Sequence, residues 1–480
     1  MSDETGETNA MYILGVDIGT TGTKSMLIRD DGLIISRAYQ GYPLLTLKEN
    51  CVEQNAEDWW NTFVYTVKKC IENLKDKDEI RAISVSTQGG SLAPLDENGN
   101  SLRNVMTWMD SRGGAELNEF LSRKGEGWFY SKTGWKPGIG LNAVKIAWIR
   151  NHERSIFNKT AKFATTLDYI NYKLTGRYVI DPTNAAMTQL MNISDGVWDK
   201  QILDLLGFDE SRLPEICPSG IALGHIAPKA AEILGLDKDV TIVNGGHDQY
   251  CGAVGAGAVH EGDILLSTGT AWVLLGVSQS PMFDMGNFVT VGRHIYDGLW
   301  GILSSVPAAG VSMEWFKENI STGTIKDGIL KPEEFREIDE QAALRGPGAE
   351  DLFFYPYFNG TGFPNWNYNA RASLLGLSLQ HNKYDIARAI MEGVAFEIQH
   401  ILEYYKEKGF TTNRLKIIGG ATKSSLWMEI ITRVAGAAIV KFKETDMACI
   451  GAAILAGNAC GIFDGYDDGN RRIDPGELVE

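Results

Sequence analysis

The chain repeats one local design. Ile13-Leu-Gly-Val-Asp-Ile-Gly-Thr-Thr-Gly-Thr-Lys-Ser-Met-Leu-Ile28 and Ile264-Leu-Leu-Ser-Thr-Gly-Thr-Ala-Trp-Val-Leu-Leu275 each run from an apolar strand into a short Gly/Thr turn and out into a second apolar strand. Such a turn leaves backbone N–H groups and small hydroxyls unscreened, so it can close around an anion without steric conflict. Two of them imply two similar halves gripping one polyphosphate, and point to nucleotide-dependent phosphoryl transfer. Two halves need two cores, and 480 residues supply them, since a single core stops growing at roughly 250–300 residues. The expected layout is a disordered lead over 1–10, a first domain over 11–256, a second over 257–464 and a polar, poorly ordered tail over 465–480.

Charge restricts the partners. The 61 acidic and 45 basic residues give a net charge of −16, and the basic ones are scattered rather than gathered into blocks. That excludes nucleic acid as an expected partner, and an anionic nucleotide must be held by backbone amides, helix N-termini and magnesium. The six cysteines form no C-x-x-C pair and read as reduced thiols. The N-terminus, Met1-Ser-Asp-Glu-Thr-Gly-Glu-Thr-Asn-Ala10, lacks a basic start and an apolar core, and no run has the length a membrane span needs. A cytoplasmic location without membrane attachment is the expectation.

Periodicity places the elements. Strands over 12–17 and 24–29 lead through Asp30-Asp31-Gly32 into a third strand over 33–40, an antiparallel meander. A helix over 56–74 carries Trp59, Trp60, Phe63 and Val67 at helical spacing, and a buried strand follows over 80–86. The middle is helical near 112–123, 142–154 and 166–174, up to an apolar strand over 240–243. Asn244-Gly-Gly then predicts a glycine turn before a small-residue helix. The second half shows strands over 264–268, 271–277 and 298–303, helices over 383–406 and 449–460, and a strand-turn-helix over 415–435.

Three groups of residues suit the chemistry. Asp248 follows a buried strand and two glycines at a helix start, where the dipole and free N–H groups favour an ionised carboxylate. It could accept the proton of a substrate hydroxyl attacking a γ-phosphate; an N-cap is the structural alternative. Asp17, beside the Gly19-Thr20-Thr21 turn, could hold magnesium, and Lys24 could reach phosphate oxygens as a mobile point charge. Gly419-Gly-Ala-Thr-Lys-Ser424 could admit an adenosine against bare backbone, with Ser424 as a helix cap. Neither this turn nor the first has the G-x-x-x-x-G-K-[ST] spacing. Trp108-Met-Asp-Ser-Arg112 groups an indole, a carboxylate and a guanidinium, equipment for a sugar or polyol. His247 is of interest only because it adjoins Asp248.

In shared order, these motifs resemble the FGGY family of carbohydrate kinases from about Tyr12 to Gly461. Further matching segments are Val52-Glu-Gln-Asn with Trp59-Trp60, Lys145-Ile-Ala-Trp148, Asp181-Pro-Thr-Asn-Ala185, Gly246-His-Asp-Gln249, Glu392-Gly-Val-Ala-Phe396 and Gly451-Ala-Ala-Ile-Leu-Ala-Gly457. The resemblance implies an α/β chain of two RNase H-like domains, of the actin and hexokinase superfamily, flanking an ATP and sugar cleft that closes on substrate. It implies Asp248 as general base and Asp17 as the magnesium-linked aspartate. Gly19, Thr20, Thr21 and Lys24 match the first phosphate loop, Thr268, Gly269 and Thr270 the second, and Gly419, Gly420, Ala421 and Ser424 the adenosine site. Gln88, Gly89, Trp108, Asp110, Asp248 and Gln249 fall on the substrate side. ATP, Mg2+, a small sugar or polyol substrate and a homodimer are its further implications.

Substrate identity is where the match loosens. Gly89 and Gly90 stand where glycerol kinases carry an Arg-Glu pair, which leaves room for a substrate larger than glycerol. A ketose or polyol of four to seven carbons, with a pentulose foremost, is the expectation. A glycerol, short-polyol or sugar-acid kinase stays open, as do a non-catalytic sugar or nucleotide sensor and an ATPase clamp on the same fold.

Overall fold

The first Gly/Thr segment folds as a hairpin. Strand β1 (Tyr12–Ile18) returns as β2 (Gly22–Arg29), with Tyr12 opposite Arg29 and Ile18 opposite Thr23, and β3 (Ile34–Gly41) extends the meander. Helix α1 (Ala56–Ile71) starts at Asn55, whose side chain accepts the Glu57 N–H, and buries Trp59, Phe63 and Val67 completely. Its polar positions are matched too, because the Thr62 and Thr66 hydroxyls bond Thr23 and Ser25 of β2 at 2.7 and 2.8 Å. Strand β4 (Ile80–Thr87) runs parallel to β1, and β5 (Ala222–His225) and β6 (Thr241–His247) complete a sheet of order β5-β6-β4-β1-β2-β3, with β6 parallel to β4. Leu14, Val16, Trp59, Phe63, Ile83, Val85 and Ile242 are buried in its core.

The chain described here is a computed structural model covering residues 10–74, 79–321, 332–412 and 414–479. It divides into two units, one comprising residues 1–257, 292–299 and 446–475 and the other 258–291, 300–445 and 476–480. The second unit repeats the topology of the first. Its meander is β7 (Asp263–Thr268), β8 (Trp272–Ser278) and β9 (Trp300–Val306), and β10 (Arg414–Gly419) and β11 (Ala438–Lys441) add in parallel beside β7. Two three-stranded meanders, each extended by two parallel strands beyond the first, make two RNase H-like α/β units of the actin and hexokinase type.

The structure corrects the layout in three places. No glycine turn precedes Asp248: Asn244, Gly245 and Gly246 lie within β6, which slips register against β4 between Val243 and Gly246 and runs straight into helix α2 (Asp248–Gly255). The small-residue helix α3 (Met447–Ala459), expected in the second domain, packs in the first unit. The physical cause is backbone proximity: a Cβ on Gly451 would lie 1.8 Å from the Cys251 carbonyl oxygen, and one on Gly15 would lie 2.0 Å from that of Cys449. The tail is not disordered either. Helix α4 (Tyr466–Ile473) caps α2, as Asn470 donates to the Val254 and Gly255 carbonyls at 2.7 and 2.8 Å, and β12 (Glu477–Val479) pairs with β11. Of the lead expected to be disordered, residues 1–9 lie outside the described residues.

Candidate active site

Parallel pairing brings the two key carboxylates to one edge. Asp17 of β1 is in register with Ser86 of β4, Ser86 with Gly246 of β6, and Thr87 with His247. Asp17 and Asp248 therefore stand at the carboxyl ends of the two parallel strands that flank β4, where open α/β sheets place ligands. Ser86 donates to Asp17 at 2.8 Å. Burial, followed by repulsion from Asp248, pushes the Asp17 carboxyl up to about 7. Lys24, paired with Asp446, offsets this only in part, and a divalent cation fits the remaining need. Among the described residues no cluster of three or more acidic, His or Cys side chains could hold a metal alone, so Asp17 fits an ion whose other ligands are water and phosphate oxygens.

Asp248 is the first helical residue of α2; His247 occupies the N-cap position and makes no side-chain cap bond. The side chain is 31% exposed and lies 3.2 Å from His247 Nε2. Burial pushes its carboxyl up to about 6 against the pull of the Gln249 amide and side chain, so desolvation outweighs the helix terminus expected to keep it fully ionised. A pKa near 6 suits a general base working at neutral pH.

The first turn is tied down from several directions. Gln54 donates to the Thr20 carbonyl at 2.5 Å, the Tyr42 hydroxyl bonds the Gly19 carbonyl, and Trp108 Nε1 donates to Thr20 Oγ1 at 3.0 Å. Thr21 is exposed and Gly19 and Thr20 are half-buried. Lys24 is not a mobile charge: its ammonium pairs with Asp446 at 2.5 Å, just before α3.

On the expected substrate side, Trp108 presents a 47% exposed indole, whereas Asp110 is buried and committed. Its carboxylate accepts the Val52 amide at 2.9 Å and the Arg112 guanidinium at 2.6 Å, leaving it a structural anchor rather than a substrate contact. Gly89 does not leave open room. A Cβ there would lie 2.1 Å from Met187 Sδ and 2.6 Å from His247 Cδ2, so these side chains already occupy the space. Gln88 is buried and donates to Gln54 at 3.0 Å; among the described residues its Oε1 and that of Gln249 find no partner.

In the second unit, Thr268 links the hairpin to the glycine loop. Its hydroxyl donates to the Ile418 carbonyl at 2.6 Å and accepts the Ala421 N–H at 3.1 Å. Gly419 adopts φ +96°, and a Cβ there would lie 2.5 Å from the Thr268 carbonyl oxygen, so only glycine lets the two loops approach. Gly269, Thr270 and Gly420 are exposed and offer bare backbone. Ser424 instead caps α5 (Ser425–Ala435): it accepts the Trp427 N–H at 2.9 Å and bonds Asp339, so its hydroxyl is spent on structure. Thr268→Val should leave the Ile418 and Ala421 groups unpaired at a cost of about 1–3 kcal/mol; calorimetric titration is expected to show weaker ATP binding.

Sequence reasoning missed several residues whose motifs it had marked without a role. Lys145 is fully buried, bonds the Gly90 and Gly140 carbonyls at 2.5 and 2.6 Å, and is pushed down to about 7 by burial, joining the two loops beneath Trp108. Asp181 caps the Pro182–Met187 helix, and Thr183 there bonds both Asp181 and the His247 amide. Gln54 was part of a quoted motif, but its three bonds depend on the fold.

Comparison with known proteins agrees with this geometry. The model of the FGGY carbohydrate kinase N-terminal domain matches residues 12–255, and that of the C-terminal domain residues 264–460. The xylulose kinase of Bacillus subtilis (strain 168) is 29% identical over 459 residues, covering 95% of this chain and 90% of that protein. The gluconokinase of the same organism is 28% identical over 458 residues, covering 95% and 89%. The crystal structure of xylulose kinase from Rhodospirillum rubrum superposes with a TM-score of 0.89 at 25% identity, over 98% of this chain and 94% of that one. With both domain models matched in order and both carboxylates at one sheet edge, the chain belongs to the FGGY family of carbohydrate kinases and is a phosphotransferase enzyme.

Proposed function

We propose that this enzyme transfers the γ-phosphoryl group of ATP to a primary hydroxyl of a ketose or polyol, with a pentulose such as xylulose as the first substrate class and Asp248 as general base. The observation that carries the reading is Asp248 itself, a partly exposed carboxylate raised to about 6 at the sheet edge it shares with Asp17. Asp248 takes the acceptor's proton as that oxygen attacks phosphorus. In the first unit the Gly19–Thr21 turn offers amides to phosphate; in the second the Thr268–Thr270 turn offers amides and Gly419 to Ala421 a backbone surface for a nucleotide. Asp17 would retain Mg2+, which when bound neutralises charge on the transferring group. Trp108 offers an aromatic face to the C–H side of the sugar.

The xylulose kinase relatives support a pentulose, and the gluconokinase at 28% identity makes a sugar acid the second reading. Coupled ADP release across xylulose, ribulose, glycerol, xylitol and gluconate tests both. A kcat/KM highest for a pentulose supports the first; one highest for gluconate replaces it with the second. A cytoplasmic homodimer completes the reading, and sedimentation at micromolar concentration checks its oligomeric part.

A further inference from the structure

We propose that His247 is a positioning residue for the base: its ring lies against Gly89, its backbone is held by Thr183, and its Nε2–H donates to Asp248 Oδ1 to fix the plane of that carboxylate. The inference rests on the reading of Asp248 as base.

Three observations converge on it. The ring is 3.2 Å from Asp248 Oδ1 through Nε2, while Nδ1 is buried with no hydrogen-bond partner among the described residues. Burial pushes the imidazole down to about 4, so the ring is neutral and carries one proton. With that proton on Nδ1, a buried donor would be orphaned and the Nε2 lone pair would face a carboxylate lone pair. The Nε2–H tautomer avoids both.

Space and anchorage are built around this ring. Gly89 clears the volume it fills, because a Cβ would come 2.6 Å from Cδ2 and 3.0 Å from Nε2. The His247 N–H, at the end of a strand whose ladder has just slipped, finds its acceptor in Thr183 Oγ1 at 2.9 Å, and Thr183 donates in turn to Asp181 at 2.5 Å. A hydroxyl that accepts from the strand end and donates to a buried cap carboxylate holds the residue before Asp248 from both sides. The base thus inherits its backbone position from Thr183 and its side-chain plane from His247.

The test compares His247→Leu with His247→Gln, whose amide can donate from nearly the same place. The Leu variant is expected to lose roughly 10- to 100-fold in kcat, as a slightly misplaced catalytic group does, with the ATP dissociation constant unchanged. The Gln variant should recover most of that loss. A Leu variant with wild-type kcat overturns the proposal, as do Leu and Gln variants equally impaired, since the ring would then only fill space. Thr183→Val against Thr183→Ser repeats the comparison at the backbone: loss in Val with recovery in Ser supports the proposal, and equal rates overturn it. Asp248→Asn separates the two levels. Full turnover in that variant removes the base itself, whereas an inactive Asp248→Asn beside a fully active His247→Leu removes only the positioning role.

Discussion

Asp248→Asn is expected to lower kcat by about 10²- to 10⁴-fold, the usual contribution of a positioned general base, while ATP still binds and the protein becomes more stable. The gain in stability follows from the sign of the shift. The Asp248 carboxyl is raised to about 6 from 3.8, so the folded chain holds its proton more tightly than the unfolded chain does. Stability is therefore lost as pH rises through that window, and the full penalty stands at pH 7. Asn removes it, and also removes the repulsion that Asp248 exerts on Asp17. After allowance for the side chain's partial exposure the gain is on the order of 1–2 kcal/mol without bound metal or nucleotide. Thermal melts at pH 7.5 check it: inactivity with a raised Tm separates loss of the base from misfolding, whereas a lowered Tm contradicts the account. The wild-type kcat/KM should fall as pH drops through about 6, because the base is then protonated.

Gly451→Val carries the other large effect. Helices α2 and α3 cross with their backbones in contact: a Cβ on Gly451 would be 1.8 Å from the Cys251 carbonyl oxygen, and one on Gly255 would be 2.1 Å from that of Met447. No rotamer relieves a clash with backbone, so the helices must separate. Overpacking of this kind costs roughly 1–3 kcal/mol or more, and several small residues at one crossing leave little to give. Helix α2 begins at Asp248, so the same displacement should reach the base. The variant is expected to melt well below wild type and to retain little turnover. Gly457→Ala, whose nearest neighbours are the Phe463 and Ile13 side chains rather than backbone, should be milder; chemical denaturation of both variants makes the comparison, and equal stability would contradict the crossing.

Much of the fold was legible because its signals are local. Hydrophobic alternation around the Gly/Thr turns marked both hairpins, and helical spacing marked Trp59, Phe63 and Val67 as core. The placement of α3 was not legible, because a helix of Gly and Ala tells that something packs closely and not what. It joins the first unit because Gly15 of β1 and Gly255 of α2 present bare backbone to it. At the site, the motifs pointed to Asp17 and Asp248, which lie at one edge of the sheet, but the commitments of some polar neighbours depended on long-range partners. Asp110 is consumed by Val52 as well as Arg112, and Lys24 by Asp446, whereas the Ser424 cap of α5, three residues from its donor, was legible locally. Gly89 misled for a similar reason: a missing side chain reads as space in a sequence, yet Met187 and His247 fill it.

The most direct measurement follows the phosphoryl group itself, from γ-labelled ATP with and without a pentulose acceptor, in wild-type enzyme and in Asp248→Asn. The account predicts label in the sugar phosphate in step with ADP formation, little ADP without acceptor, and almost no transfer in the variant. ADP formed equally fast without any acceptor, with the label in inorganic phosphate, or undiminished transfer by Asp248→Asn, would contradict it.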